Sequence, residues 1–356
     1  MGAALVVREI VEKEYPAWNK LVAEAPSGSP YSTPEYLDAL CSAAGGAFHI
    51  LGAWRGEELV AGVGLYERVA RSGTWVWPRL LLYYNGPVVR HFDTKYPSQR
   101  TSRSVEALSA LIAGLDGRHY ASVILKGRAP LDDLRPFISQ GWQVKASYSY
   151  VVELTDLVSQ WGRVEQNLRR LVERARQQGL VFAEDDDFEG FYALHSLTLN
   201  RRDVAAYLPK APFARWYEKL RAQKIARLYH ARTAEGRIAA TQLVLAGAHR
   251  VSHTISAAAD PELQSSGANP FLRWHAFEAL AKEGYTANDL TDASLNPVTH
   301  FKAQLGGNLA LNLVAESPAS RGWRVNSAAE RLMHGARGLA RNVRDRLRGR
   351  PGGDAP

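Results

Sequence analysis

At 356 residues with 46% hydrophobic content, the chain is too long for one ordinary domain and apolar enough for two cores, so two units of roughly 150 to 170 residues are expected. Its one cysteine, Cys41, excludes disulfides and cysteine-rich zinc sites within a monomer, and its place beside Leu37 and Ala44 on the apolar side of TPEYLDALCSAAG predicts packing, not chemistry. The net charge of +8 points to nucleic acid until it is located: from Arg321 onward nine arginines face only Glu330, Asp345 and Asp354, which puts +6 in the last segment.

No apolar run approaches the roughly 18 residues of a membrane span, and MGAALVVREIVEKEYP lacks the basic-then-apolar order of a signal peptide, so a cytoplasmic location is expected. In chain order, a strand near 5–10 leads to a helix around 15–25. A second helix opens at STPEYLDAL, with Ser32 or Thr33 as cap and Pro34 in its first turn. Strands follow through Leu51, over 59–66 and over 75–84. The loop NGPVVRHFDTKYPSQRTSR carries Arg90, His91, Lys95, Arg100 and Arg103, either as a solvated basic loop or as a seat for an anionic acceptor, and precedes a helix from about 104 to 115. In the second half SYSYVVELT reads as a strand. A basic helix over 163–178 carries Arg163, Arg169, Arg170, Arg174 and Arg176, either solvated or facing a phosphate. Two more helices, DFEGFYALHSLTLNRR and PFARWYEKLRAQ, precede a three-strand meander over 225–259. The fold class is α+β (mixed α/β), with largely antiparallel sheets flanked by helices.

The halves repeat one another. GAWRGEELVAGVGLYE (52–67) resembles HARTAEGRIAATQLVLA (230–246), and EALSALIAGLDGRHYASVIL (106–125) resembles AFEALAKEGYTANDLT (276–291). PFISQGWQV then matches HFKAQLGGNL, which aligns Phe137 with Phe301 and Ile138 with Lys302. An apolar position in one copy that is cationic in the other is poorly explained by a shared packing need. Within ADPELQSSGANPFLRWHAFEALAKEG, Asn269 is placed as N-cap and Pro270 as first helical residue after a small, flexible SSGA. The backbone N–H groups of such a turn can hold a phosphate, which makes Gln264, Ser265, Ser266, Gly267 and Asn269 candidate donor-binding residues.

YSTPEYLDAL, GEELVAGVGLYE, YYNGPVV, EQNLRRLVERARQQGL, LHSLTLNRR, EGRIAATQLVLA, NPFLRWHAFEALAKEGY, and ANDL followed by FKAQLGG together resemble the Fem family of GNAT-like acyltransferases. That family includes peptidoglycan-bridge aminoacyltransferases and BioF2-like or CelD-like proteins. The resemblance implies two tandem GNAT-like domains, 1–148 and 149–318, followed by a tail, 319–356. It also implies transfer of an acyl or aminoacyl group to an amine, in cell-envelope or polysaccharide precursor metabolism. The donor is then a cosubstrate, aminoacyl-tRNA or acyl-CoA, with no tightly bound cofactor and no metal. Carried over, the Phe-Lys pair near the reacting carbonyl is Phe301 and Lys302, with Phe301 packing either on the donor or in the core. A cation at Lys302 suits this chemistry because negative charge grows on the carbonyl oxygen as the amine attacks.

Among Asp289, Asp292, His253, His275 and Glu278, Asp292 is the best candidate for general base, because it follows a strand ending at the expected cleft; His253 and His275 read as structural. QSSGAN departs in its last residue from the coenzyme A turn, and the chain has no room for the long helical arm of several bridge-forming enzymes, so the donor stays open. In the tail, Leu332, Ala336, Leu339, Ala340, Val343 and Leu347 recur at helical spacing among arginines. Residues 321–350 thus read as a surface for anionic membrane or for RNA, or as a solvated helix, and a peripheral place at the inner membrane face is expected. Two other readings stay open: a small-molecule N-acyltransferase using acyl-CoA, and a scaffold without activity.

Overall fold

The computed structural model describes residues 4–79, 81–201, 206–295 and 297–318; the basic tail and its expected membrane or RNA surface lie outside them. The first half runs β1 (Leu5–Glu9), α1 (Tyr15–Glu24), α2 (Pro34–Ala44), β2 (Ala47–Arg55), β3 (Glu58–Ala70), β4 (Gly73–Val76), β5 (Val88–Val89), α3 (Pro97–Asp116), β6 (Ser122–Lys126), α4 (Arg135–Ser139) and β7 (Gln143–Glu153). The second runs α5 (Leu157–Arg163), α6 (Gln166–Gln177), β8 (Val181–Glu184), α7 (Phe188–Asn200), α8 (Lys210–Ala222), β9 (Ala226–Arg232), β10 (Ile238–Leu245), β11 (Val251–Ala259), α9 (Ala268–Lys282), β12 (Ala287–Asp292), α10 (Pro297–Gln304) and β13 (Asn308–Glu316).

Local chemistry explains several boundaries. Thr33, not Ser32, caps α2: its Oγ1 accepts from the Tyr36 N–H at 3.3 Å. α3 starts at Pro97, earlier than 104, because proline in the first turn is pre-set for a helix and has no N–H to leave unpaired; Arg100 and Arg103 are therefore helical rather than loop residues. β4 stops at Val76, well short of 84, and Pro78 and the left-handed Leu81 (φ 70°) follow it. Asn269 is not the cap of α9, which begins one residue before it, at Ala268. The helix is entered through Gly267 at φ 81°, and Pro261–Ser266 form a 3-10 turn in place of a flexible segment.

The thirteen strands of the described residues join one sheet, in the order β1-β2-β3-β4-β6-β13-β7-β12-β11-β10-β9-β8, with β5 beside β3. Pairing is antiparallel except at β4/β6 and β11/β12, which occupy matching places in the two halves. The last strands are exchanged. β13, from the second half, pairs with β6 of the first, while β7, from the first half, pairs with β12 of the second. β7 and β13 then pair with each other along nine positions, from Asn308↔Val151 to Glu316↔Gln143. A division at 148/149 thus falls inside β7.

Three apolar cores result. One lies under α3, between the first-half strands and Phe137 and Trp142; another lies around α9 and α6. The third straddles the halves, joining Trp18, Tyr31 and Tyr36 to Phe188, Phe213 and Trp216, with Cys41 packed at its margin. Each large side chain buried there contributes on the order of 2 to 3 kcal/mol. Burial pushes the Cys41 thiol up to about 11, as expected of a packing residue.

Polar groups buried at the seam are satisfied across it. The Asn312 amide on β13 accepts from the Ala129 N–H at 2.9 Å and donates to Ser149 Oγ at 3.1 Å and Tyr84 Oη at 3.2 Å. Tyr84 donates in turn to Asp289 Oδ2 at 2.8 Å. Asn312→Ala leaves these groups short of partners and should cost about 2 to 4 kcal/mol. In urea the midpoint should fall while one transition persists; two separable transitions would show that the halves are not coupled through the exchange.

Candidate active site

β11 and β12 pair only from Val251↔Ala287 to His253↔Asp289 and then diverge. β12 turns away at Thr291, whose φ of 58° is rare for a β-branched residue, and its pairing with β7 slips between Asp289 and Asp292. The Asp289 carboxylate, buried at the bend, accepts the Thr291 N–H at 2.7 Å and so holds the turn. β4 and β6 likewise pair over only two positions. Both divergences open on one cavity of about 870 Å³. Its walls come from each half: Leu81, Leu82 and Tyr83 from the first, Ile255, Leu290 and Val298 from the second.

Lys302 and Asp292 line this cavity together. Lys302 Nζ donates to the Asp292 backbone carbonyl at 2.5 Å, which leaves the carboxylate to other partners. That carboxylate accepts from Tyr83 Oη at 3.2 Å and from Ser294 Oγ at 2.8 Å. Burial, with Arg273 and Lys126 nearby, pushes the Lys302 ammonium down to about 8. The matching position of the first half serves no such purpose: Ile138 is 57% exposed.

Three other lining groups carry chemistry that sequence reading passed over. Lys126 is the last residue of β6, as Asp292 is of β12, so the strand repeat itself could have flagged it. Its ammonium lies 3.6 Å from the centre of the Tyr83 ring, and burial pushes it down to about 8. Arg273 was legible as a lone charge within the apolar run of α9. Burial pushes it down to about 10. His195 on α7 sits 2.9 Å from Ser256 Oγ through Nδ1, and burial lowers it to about 4, so it is a neutral imidazole at physiological pH.

The other candidates lie apart from the cavity. His253 is fully buried between Tyr31 and Tyr84, with its ionisation pushed well down by burial, and His275 is paired with Glu278 at 2.6 Å on α9. Phe301 packs against the core around α9. None of Gln264, Ser265, Ser266, Gly267 or Asn269 lines the cavity. Their turn rests on α6, where Arg174 donates to the Ser265 carbonyl at 3.3 Å and a Cβ on Gly267 would come within 2.4 Å of the Leu171 carbonyl. Beside it α6 bears a shallow basic hollow that includes Trp161, Arg169, Arg170 and Arg174. Of the first-half basic loop, Arg90 is taken up by an ion pair with Glu58.

Residues 162–302 match the acetyltransferase (GNAT) domain family. No curated protein matches the chain by sequence. In fold it is similar to the crystal structure of FemX, with a TM-score of 0.70 at 13% identity over 87% of this chain and 96% of that one. It is also similar to the C-terminal domain of a putative lysylphosphatidylglycerol synthetase from Agrobacterium fabrum (TM-score 0.58, 12% identity, 89% and 96% covered). A tandem GNAT protein from the clavulanic acid biosynthesis pathway aligns at a TM-score of 0.52 and 12% identity, over 89% of this chain and all of that one. The second half thus carries a match to the GNAT acetyltransferase domain family, and the fold over most of the chain is shared with FemX.

The two partly buried lysines give a direct measurement. Their folded values near 8 lie below the ordinary 10.5, so the cost of burying their charge is present at neutral pH and relieved as pH rises from about 8 to about 10.5. In ¹³C spectra of labelled lysines, two side chains should titrate near pH 8, and Lys126→Met and Lys302→Met should each remove one. Titration of every lysine above 10 would contradict the burial described.

Proposed function

We propose that the cavity transfers an acyl or aminoacyl group from an activated ester or thioester to an amine, in cell-envelope or polysaccharide precursor metabolism. The observation that carries this reading is the partly buried Lys302 ammonium, held at the divergence of β11 and β12 and facing the Asp292 strand end. As the amine nitrogen attacks the carbonyl carbon, charge accumulates on the carbonyl oxygen, and a positioned cation in a partly dry site stabilises that charge more than the ground state. Lys302 supplies the cation, with Lys126 a second positive charge in the same lining. The tetrahedral intermediate then breaks its C–O or C–S bond and releases the donor's alcohol or thiol. The nitrogen's proton goes to the Asp292 carboxylate, which Tyr83 and Ser294 hold in place, and passes from it to the departing oxygen or sulfur, so that the carboxylate is restored.

The donor is a cosubstrate, aminoacyl-tRNA or acyl-CoA. Likeness in fold to FemX and to a putative lysylphosphatidylglycerol synthetase supports an aminoacyl donor and an envelope acceptor. Coenzyme A would set its pyrophosphate at the turn of Gln264, Ser265, Ser266, Gly267 and Asn269; the positive φ of Gly267 suits such a turn, while its packing on Leu171 closes one side. Offering labelled aminoacyl-tRNA and acyl-CoA pools and following the label to an amine by mass spectrometry decides the donor.

Lys302→Ala should slow transfer by ~100- to 1,000-fold, mainly in kcat. Wild-type kcat should also decline as pH rises through about 8, where the Lys302 ammonium loses its proton. An unchanged rate in Lys302→Ala sinks the catalytic assignment. No helix among the described residues is long and apolar enough to cross a membrane. Attachment through residues 321–350 to an anionic lipid surface is part of this reading. Removing residues 321–356 should abolish low-salt binding to phosphatidylglycerol vesicles and leave the thermal transition in place; salt-insensitive binding would contradict it.

A further inference from the structure

Among the described residues four cations line the cavity, and three have company. Arg79 lies over the Tyr66 ring, Lys126 over Tyr83, and Lys302 on the Asp292 carbonyl. Arg273 differs. Its side chain is on the buried face of α9, the residue is only 6% exposed, and its Nε and Nη1 have no hydrogen-bond partner among the described residues. Among the described residues no carboxylate forms an ion pair with it, and Asp292, the one acid among the described lining residues, is occupied by Tyr83 and Ser294. A buried guanidinium with unmet donors is costly to a fold unless something supplies the missing anion. Guanidinium favours flat or forked oxyanions over compact ions, because its donors diverge in one plane. The unmet donors of one guanidinium call for one oxyanion group, and apolar residues, Leu199, Ile255 and Leu290 among them, share the lining.

We propose that Arg273 seats the single anionic group of a cosubstrate, so that one of the two reactants is a monoanionic acid, a carboxylate or a phosphodiester, with an apolar body. The identification of that acid as a cosubstrate rests on the transferase reading above; the binding site itself does not. Arg273 is a binding and positioning residue here, holding the reactant so that its reacting group lies along the wall that Lys302 and Asp292 share.

Calorimetric titration of the full chain with hexanoate, dibutyl phosphate and neutral hexanamide tests this. Millimolar binding of an acid, with none of the amide, is expected. Arg273→Gln should weaken that binding by roughly 10- to 100-fold, the loss of a charge-assisted contact, and Arg273→Lys should restore part of it. Binding of hexanoate alone marks the ligand as a carboxylate, of dibutyl phosphate alone as a phosphodiester, and either supports the site. Arg273→Met should raise the Tm of the unliganded protein, because it removes an unpaired buried charge and keeps an apolar stem. A lower Tm would mark a structural arginine and overturn the proposal, as would equal binding by wild type and Arg273→Gln, or no binding of either acid. Arg273-dependent acid binding in a protein that transfers nothing would leave this site standing and remove the transferase reading; transfer with no acid binding would do the reverse.

Discussion

The exchange of final strands is the constraint on which the other features depend. Because β13 lies between β6 and β7, and β7 between β13 and β12, neither half completes its sheet without the other. Backbone groups at a sheet edge demand partners, and each half's last strand finds them on its sister. The seam is then fixed in register by a buried amide, Asn312, whose three partners come from three separate segments of the first half. Shifting β13 by one residue would point that amide to the opposite face. A third core shared by both halves strengthens the same coupling.

Closing the sheet in this way sets two diverging strand pairs side by side, and so opens a cavity lined by both halves. Tyr83 and Asp292, 209 residues apart, touch only because of it. The strain of Thr291 at φ 58° costs about 1 to 3 kcal/mol and is held by the Asp289 carboxylate beneath it. Asp289 itself is buried and its ionisation pushed up by that burial, against the pull of Tyr84, the Thr291 N–H and the nearby Arg128. Strain and buried charge are thus concentrated where the strands part.

Much of this was legible in the residues. Alternation and capping located most helices and strands, and repeat comparison isolated Lys302 and placed Asp292 at a strand end. Misplaced boundaries had local causes. Pro97 began a helix that polar residues disguised as loop, and Gly267 let α9 start ahead of Asn269. Lys126 and Arg273 escaped because an isolated charge in an apolar run reads as a surface residue until the opposite wall is known.

Sequence alone therefore determined the mixed α/β class, the duplicated order of elements and the identity of two residues that share the cavity, because periodicity and repeats are local properties. Only the tertiary structure decided that the last strands change places, that Lys126, Tyr83 and Arg273 join Lys302 and Asp292, and that Gln264–Asn269 turn toward α6 instead. Strand pairing partners and the burial of a charge depend on groups far away in the chain, and no local pattern encodes them.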